Sequence, residues 1–150
     1  MNGRSKLFRW LYRISDNLRH RARQRRWDPA HALGRRGEDL AHRYLQSLGM
    51  TIVARNFRTP SGAGELDIVA REGNALVVVE VKSRTNTDFG TPARNVDWDK
   101  EQRVMRGAEE FARRSDVPLQ QVRFDVITIV FSDPPELKHH KNAFHPNQLV

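Results

Sequence analysis

The sequence predicts an α/β fold in which a mixed sheet is flanked by helices, in the order helix, three strands, helix, strand. Two segments repeat apolar residues every three or four positions, as amphipathic helices do, and four shorter segments carry the β-branched and alternating residues of strands. Strands joined by short loops run antiparallel, whereas a crossover through the second helix makes the last strand parallel to its neighbour. A chain of 150 residues suits one domain.

The elements follow one another with recognisable boundaries. The first helix carries apolar residues from Leu33 to Leu48, and Gly49 is placed to end it. Asp97 is placed to cap the second helix, Trp98–Arg114. Strands are predicted at residues 51–57, 65–70, 75–82 and Val122–Phe131. A break at residues 133–135 then precedes a polar tail.

Charge separates an N-terminal arm from the domain. Residues 1–30 hold nine of the 26 Lys and Arg residues and two of the 18 Asp and Glu residues, so most of the net charge of +8 lies there. Three interpretations of the arm are open: a solvated segment that adheres to polyanions, a helix docked on the domain, and a membrane-surface helix. We divide the chain into a basic amphipathic arm at 1–30, an α/β domain at 31–131 and a C-terminal tail at 132–150. The apolar residues of the arm at helical spacing are Leu7, Trp10, Leu11, Ile14 and Leu18.

Composition excludes several classes of protein. The chain has no cysteine, which removes disulfides, a thiol nucleophile and thiolate metal ligands, and this fits a reducing compartment. Its longest apolar run, residues 75–79, is too short to span a bilayer, and the N-terminus lacks an apolar core of signal-peptide length. We therefore expect a cytoplasmic protein. The six histidines show no metal-ligand spacing and are interpreted as surface residues.

The turn at Gly73-Asn74 predicts the register of the central hairpin. A two-residue turn there places Asp67 opposite Glu80 and Glu65 opposite Lys82. Because side chains alternate along a strand, these four should share one face of the sheet. The opposite face is then wholly apolar and comprises Leu66, Ile68, Ala70, Val77, Val79 and Val81.

Two opposed carboxylates predict a cation between them. Asp67 and Glu80 would repel each other across the hairpin unless a positive charge lies there. Their hard oxygens, a nearby backbone carbonyl such as that of Val81, and water suit Mg²⁺ or Mn²⁺. Lysines are ordinarily protonated at neutral pH, so Lys82 is predicted to orient water and stabilise charge on a phosphate rather than to act as a base. The alternative is a plain ion-pair cluster on a solvated sheet face.

Two further residues are candidates for supporting roles. Glu38 lies on the same helical stripe as Gly34 and Ala41, and it is either an outer or second-metal ligand or a helix-initiating acid. Lys100 lies in the first turn of the second helix, where it meets an incoming phosphate or is simply solvated. The polar loop at residues 83–96 could line a nucleic-acid groove.

The motif residues resemble a known family. Asp67 followed by Glu80-Val81-Lys82 resembles the D…(D/E)xK signature of the restriction-endonuclease-like nuclease superfamily, although Leu66 stands where the motif has proline. A larger set resembles the YraN-like family of uncharacterised bacterial proteins, from Leu33 to Phe131 and again at residues 141–144. That set comprises Gly34, Gly37, Glu38, Ala41, residues 55–58, 64–67 and 79–84, Phe89, Gly90, Lys100 and residues 123–125.

The resemblance implies a restriction-endonuclease-like core similar to that of archaeal Holliday-junction resolvases. It implies a Mg²⁺ site at Asp67 and Glu80, with Lys82 beside the attacking water. Glu38, Glu65 and Lys100 would support this site. Arg123 and Asp125 would support the core or the cleft.

Three functions remain open. The leading one is a metal-dependent endonuclease that hydrolyses phosphodiester bonds in DNA, at branched or damaged structures, with nucleic-acid contacts from Arg55, Arg58 and Arg84. The alternative is a non-catalytic nucleic-acid-binding protein that retains the nuclease fold. The third is a membrane-surface adaptor that acts through the basic arm. Junction resolvases act as dimers, so a homodimer is also an open expectation.

Overall fold

The structure, a computed structural model, describes residues 29–62, 64–85 and 98–144. Within these ranges α1 is Pro29–Ser47 and α2 is Trp98–Arg114. The N-terminal arm, the Asp97 cap and the Phe89-Gly90 loop lie outside the described residues. No helix in the described ranges is long and apolar enough to cross a membrane. The strands are β1 (Thr51–Arg58), β2 (Glu65–Glu72), β3 (Ala75–Thr85), β4 (Val122–Phe131) and β5 (Glu136–Phe144).

The sheet has the mixed topology that the sequence predicts. Its strand order follows the chain, from β1 to β5. β3 and β4 are parallel because α2 connects them, and the other neighbouring pairs are antiparallel. Helix, three strands, helix and strand therefore occur in the predicted order. The interpretation of the last segment as a polar tail was wrong, because β5 pairs with β4 and adds a fifth strand.

The helix α1 packs closely on the sheet because it presents small residues there. Gly37, Ala41 and Leu45 are its buried residues. A Cβ atom built on Gly37 would overlap the Ser83 hydroxyl on β3, whereas nothing lies within 4 Å of one built on Gly34. The close approach is therefore made at Gly37, and Gly49 ends the helix region at a φ of 85°.

The helix α2 covers the opposite face of the sheet. Asp99 and Glu101 lie in its first turn and Arg113 and Arg114 in its last, an arrangement that complements the helix dipole. A Cβ on Gly64 would overlap the Arg103 backbone, so β2 begins against this helix. Its buried residues include Val104, Met105, Ala108, Phe111 and Ala112.

Two apolar clusters fill the two faces of the sheet. The cluster beneath α2 includes Phe57, Val69, Val78 and Phe124. The cluster beneath α1 includes Ile68, Ala70, Val77, Val79, Ile127 and Ile129. Both faces are therefore covered, as expected for a strand layer between two helices.

The predicted register of the hairpin is confirmed over most of its length. Pairing runs from Glu72–Ala75 at the turn to Ile68–Val79. Gly73 has a φ of 58°, which suits the predicted turn. The prediction for Leu66 was wrong: it packs beneath α2 rather than with Ile68 beneath α1. The regular alternation is broken where β2 leaves the ladder with β3.

Candidate functional site

Asp67 lies where β2 and β3 separate. The recorded pairing ends at Ile68–Val79, so the predicted backbone pairs Asp67–Glu80 and Glu65–Lys82 are not formed. The Asp67 carboxylate instead accepts a hydrogen bond from the Val81 N–H at 2.9 Å. A side chain thus takes a donor that a continued ladder would have given to a backbone carbonyl. This bond directs Asp67 into the gap between the two strands.

The Asp67 carboxylate is poorly solvated and has acidic neighbours. Its pKa is raised to about 6, chiefly by burial and in smaller part by the Glu38 and Glu80 carboxylates. The Val81 N–H and the Lys100 ammonium act in the opposite direction without restoring the usual value. A carboxylate in this setting would gain from an added cation.

Glu80 is buried on β3 and has a lysine as its close charged neighbour. Its side chain is 6% exposed, and Lys100 Nζ lies 2.6 Å from Oε1. This contact is an ion pair by distance but lacks the angles of a hydrogen bond, since Oε1 accepts none within the described part of the chain. A buried carboxylate oxygen that accepts no hydrogen bond is incompletely satisfied, and a cation with better geometry would stabilise it.

Lys82 and Glu101 extend this cluster toward α2. Lys82 follows Glu80 by two positions on β3 and is half-buried. Burial raises the pKa of Glu101, the Glu80 carboxylate raises it further, and the Lys82 ammonium lowers it. Sequence reasoning missed Glu101, because its proximity to Glu80 depends on how the crossover helix lies on the sheet. Its position one residue after Lys100 is the only signal.

Glu38 reaches the same region from α1. Its side chain is 16% exposed and accepts a hydrogen bond from Asn56 Nδ2 at 2.9 Å. Burial raises the pKa of Glu38, although Asn56 and Arg55 oppose the shift. Asn56 has a φ of 47° inside β1, an unusual backbone conformation that accompanies this bond. The structure therefore brings Glu38 into the electrostatic range of Asp67, as its stripe on the helix suggested.

The predicted nucleic-acid-binding arginines are differently placed. Arg55 lies 2.7 Å from the Asp39 carboxylate, so an acid within the fold already neutralises its charge. Arg58 pairs with Glu65 at 3.4 Å in an exposed position, which removes Glu65 from the inner cluster. Arg84 is half-buried near the end of β3.

Two further arginines, on α2, are also exposed. Arg103 and Arg106 face solvent, and neither forms an ion pair with any residue that the structure describes. Sequence reasoning did not single them out, because an exposed arginine on a helix has no pattern of its own.

The donors available to a metal ion are few. Across residues 29–62, 64–85 and 98–144, no three His, Cys, Asp or Glu side chains gather closely enough to hold one. The predicted set needs only two carboxylates, Asp67 and Glu80, with the Val81 carbonyl and water. The Oε1 atom of Glu80, which accepts no hydrogen bond in the described residues, and the raised pKa of Asp67 both fit a divalent cation with oxygen ligands.

A second polar cluster lies deeper in the fold. Asp125 is fully buried, and Arg123 donates to its two oxygens at 2.9 and 3.0 Å. His139 Nε2 lies 2.8 Å from Oδ2, and the Asn142 N–H donates to Oδ1 at 3.0 Å. Burial would raise the pKa of Asp125, but the bonds from Arg123, Asn142 and His139 outweigh it and lower the pKa.

His139 corrects the interpretation of the histidines as surface residues. Its side chain is 5% exposed, and its Nδ1 lies 3.3 Å from the Tyr44 hydroxyl of α1. The cluster therefore joins β4, β5 and α1, and this agrees with the supporting role expected of Arg123 and Asp125.

The fold and the site together define an α/β protein with a restriction-endonuclease-like core. The family described as "Uncharacterised protein family UPF0102" matches residues 37–129. A UPF0102 protein of Solibacter usitatus is 46% identical over 134 residues, which are 89% of this chain and 97% of that protein. A relative from Rhodococcus opacus is 45% identical and one from Dictyoglomus turgidum is 36% identical, each over 75% of this chain and 96% of its own. The chain belongs to the UPF0102 family, also called the YraN family.

Proposed function

We propose that this protein is a metal-dependent nuclease that hydrolyses phosphodiester bonds in DNA. The observation that carries the proposal is the pair of carboxylates, half-buried Asp67 and buried Glu80, at the gap between β2 and β3. Asp67 has a pKa raised to about 6, and Glu80 has an oxygen without a hydrogen bond. Carboxylates held in this way favour binding of Mg²⁺ or Mn²⁺, and the lysines beside them favour binding of a phosphate.

Each residue of the site would have a distinct role in hydrolysis. Asp67 and Glu80 would hold the metal together with the Val81 carbonyl, and a bound divalent ion supplies Lewis acidity and an acidified water. The Val81 N–H keeps Asp67 in the gap between the strands. Lys82 would place its ammonium group beside a phosphate oxygen, where it stabilises the charge that builds up as water attacks phosphorus. Glu38 would orient water or an outer ligand from the α1 side.

The exposed face of α2 supports the assignment of a nucleic acid as substrate. Arg103 and Arg106 follow Lys100 along this helix at a spacing that places their side chains near one another. Arginines that no acid in the described residues neutralises can contact phosphates and release counterions. We therefore assign the nucleic-acid contacts to α2 rather than to Arg55 and Arg58, and call this exposed face of α2 the footprint.

The test of the function is a cleavage assay on labelled linear, flapped and four-way-junction DNA and on matched RNA. Wild type, Glu80→Gln and the exposed-acid control Glu109→Gln would be compared in Mg²⁺, Mn²⁺ and EDTA. We expect cutting only with metal, a loss of more than about 100-fold in Glu80→Gln, and no change in the control. A wild type that binds DNA and cuts nothing under these conditions would leave the non-catalytic binding protein as the function.

The footprint is tested separately by DNA affinity in the Glu80→Gln background. We expect Arg103→Ala with Arg106→Ala to weaken binding and to reduce the slope of log affinity against log salt by about 2. Arg43→Ala with Arg71→Ala, which removes two exposed arginines on α1 and β2, is the matched control. Equal slopes for the two double variants would refute a footprint on α2.

A further inference from the structure

The Lys100 ammonium group lies beside the Glu80 carboxylate, where a metal ion would bind. Its Nζ lies 2.6 Å from Glu80 Oε1, and its charge also acts on Asp67. A single ammonium group therefore serves both carboxylates that would hold the metal. No other lysine or arginine in the described residues forms an ion pair with either carboxylate.

We propose that Lys100 is a displaceable internal cation, which a divalent metal must remove from Glu80 before the site is loaded. This inference rests on the proposed metal-dependent function and concerns the regulation of the same site. Metal and ammonium then compete for one carboxylate, and the presence of Lys100 sets the metal concentration at which the site fills.

Crowding at Glu80 is the first argument. A Mg²⁺ ion bonded to a carboxylate oxygen lies about 2.0–2.1 Å from it. An ammonium group 2.6 Å from the same oxygen would then lie close to a doubly charged ion. Two cations at such a separation repel each other strongly in a buried setting, so both cannot keep their best positions.

The difference in exposure shows which partner moves. Glu80 is 6% exposed and belongs to a strand that is paired on its β4 side through Val126. The side chain of Lys100 is 55% exposed and extends from the first turn of α2. A long, mostly exposed lysine side chain can keep its ammonium group in water in other rotamers, and the contact of Lys100 with Glu80 lacks hydrogen-bond angles. Lys100 is therefore the group that leaves.

Release gives Lys100 a second role. Once released, its ammonium group lies at the same end of α2 as Arg103 and Arg106. A phosphate backbone would lie there. A phosphate would stabilise the released position, so metal and nucleic acid would each favour binding of the other. Before loading, the same lysine stabilises the fold by neutralising buried Glu80.

The experiment measures metal binding in the full chain without nucleic acid. Mg²⁺ affinity is determined by calorimetry, and Tm is determined in EDTA and in excess Mg²⁺, for wild type, Lys100→Met, Lys100→Gln and Lys100→Arg. Lys138→Met, which removes an exposed lysine on β5, is the control. We expect the two neutral variants to bind Mg²⁺ about 5-fold more tightly or better, and Lys100→Arg to remain close to wild type.

In the neutral variants Tm in EDTA should fall, while the rise in Tm on adding Mg²⁺ should grow. Loss of the ammonium group lowers Tm in EDTA, because Glu80 is left buried and unpaired. The rise in Tm on adding Mg²⁺ should be larger in Lys100→Met and Lys100→Gln than in wild type. If Lys100 were merely structural, its loss would lower Tm in EDTA and Tm in Mg²⁺ by the same amount.

Each outcome has a defined meaning. Equal Mg²⁺ affinities in wild type and in both neutral variants, with binding lost in Glu80→Gln, would overturn the competition and leave the proposed function intact. Tighter binding in the neutral variants without cleavage of any nucleic acid would support the competition and remove the nuclease. Absence of Mg²⁺ binding in all variants would overturn both.

Discussion

Asp67 illustrates at the scale of one residue how a candidate metal ligand can oppose folding. Its side chain is half-buried, its pKa is raised to about 6, and its one hydrogen bond from Val81 does not offset the loss of water. Residues kept for chemistry often destabilise the protein that contains them. The size of the shift makes this cost measurable.

The stability of the protein without metal should depend on the ionisation of Asp67. The ordinary pKa is 3.8, so between 3.8 and about 6 the folded chain binds more protons at this group than the unfolded chain does. Stability is therefore lost as the pH rises through this window and stays lower above it. We expect Asp67→Asn to raise the free energy of unfolding by about 2–3 kcal/mol near pH 8 and to change it little near pH 4.

Urea denaturation in EDTA at the two pH values measures this difference. The Asn side-chain oxygen can still accept the Val81 N–H, so the variant removes the charge and keeps the bond. Glu109→Gln, an exposed acid on α2, controls for a general effect of net charge. Equal stability of wild type and Asp67→Asn near pH 8 would contradict the assignment of Asp67 as a destabilising carboxylate.

At the scale of elements, the contact between α1 and β3 depends on one glycine. A Cβ on Gly37 would overlap the Ser83 hydroxyl, whereas a Cβ on Gly34 has open space. We expect Gly37→Ala to lower the free energy of unfolding by about 1–3 kcal/mol through overpacking. Gly34→Ala lies in the same helix and should be neutral or stabilising by up to about 1 kcal/mol.

A double-mutant cycle tests the named contact. Ser83→Ala removes the hydroxyl that the new methyl group would meet, so the cost of Gly37→Ala should be smaller in that background. Thermal or urea denaturation of the four variants provides the measurement. Equal costs of Gly37→Ala in the two backgrounds would show that the hydroxyl is not the obstacle.

The elements that the sequence could predict are those with local signals. The apolar repeats of α1 and α2 and the turn at Gly73-Asn74 predicted both helices and most of the hairpin. β5 was missed because its inward side chain at the centre is a histidine held by hydrogen bonds, so apolar alternation is weak. Leu66 was placed on the wrong face because alternation assumes an unbroken ladder, and Asp67 interrupts it.

The candidate site was predictable to a similar extent. The hairpin register predicted that Asp67 and Glu80 would lie near each other, and the Glu80 charge does act on Asp67, although the predicted backbone pair is not formed. The pairing of Arg55 with Asp39, and the approach of Glu101 to Lys82, depend on how helices dock on the sheet. Such contacts leave no pattern in a single sequence.

At the scale of the whole molecule, Asp125 connects elements distant in sequence. Its carboxylate binds Arg123, His139 and the Asn142 backbone, and His139 contacts Tyr44 of α1. Removal of one member of a buried charged cluster leaves its partners uncompensated. The cluster should therefore hold β5 and α1 to the sheet as a unit.

We expect Asp125→Ala to lower the free energy of unfolding by about 3–5 kcal/mol at neutral pH. Because the fold lowers the pKa of Asp125, this contribution is present above the ordinary carboxyl value and is lost as the pH falls through the lower, folded one. Denaturation at neutral and acidic pH measures the change, with exposed Glu136→Ala on β5 as the control. A loss of the same size at both pH values would point to packing rather than charge.

The parallel pairing of β3 with β4 also determines the order in which the molecule can assemble. β1, β2 and β3 are consecutive and pair through short turns, whereas β3 meets β4 only after α2 has crossed the sheet. Contacts close in sequence form faster than those that close a long loop. During synthesis the acidic residues of the hairpin would therefore be brought together while Lys100 has not yet docked, and the folding chain would first carry their repulsion without its internal counter-charge.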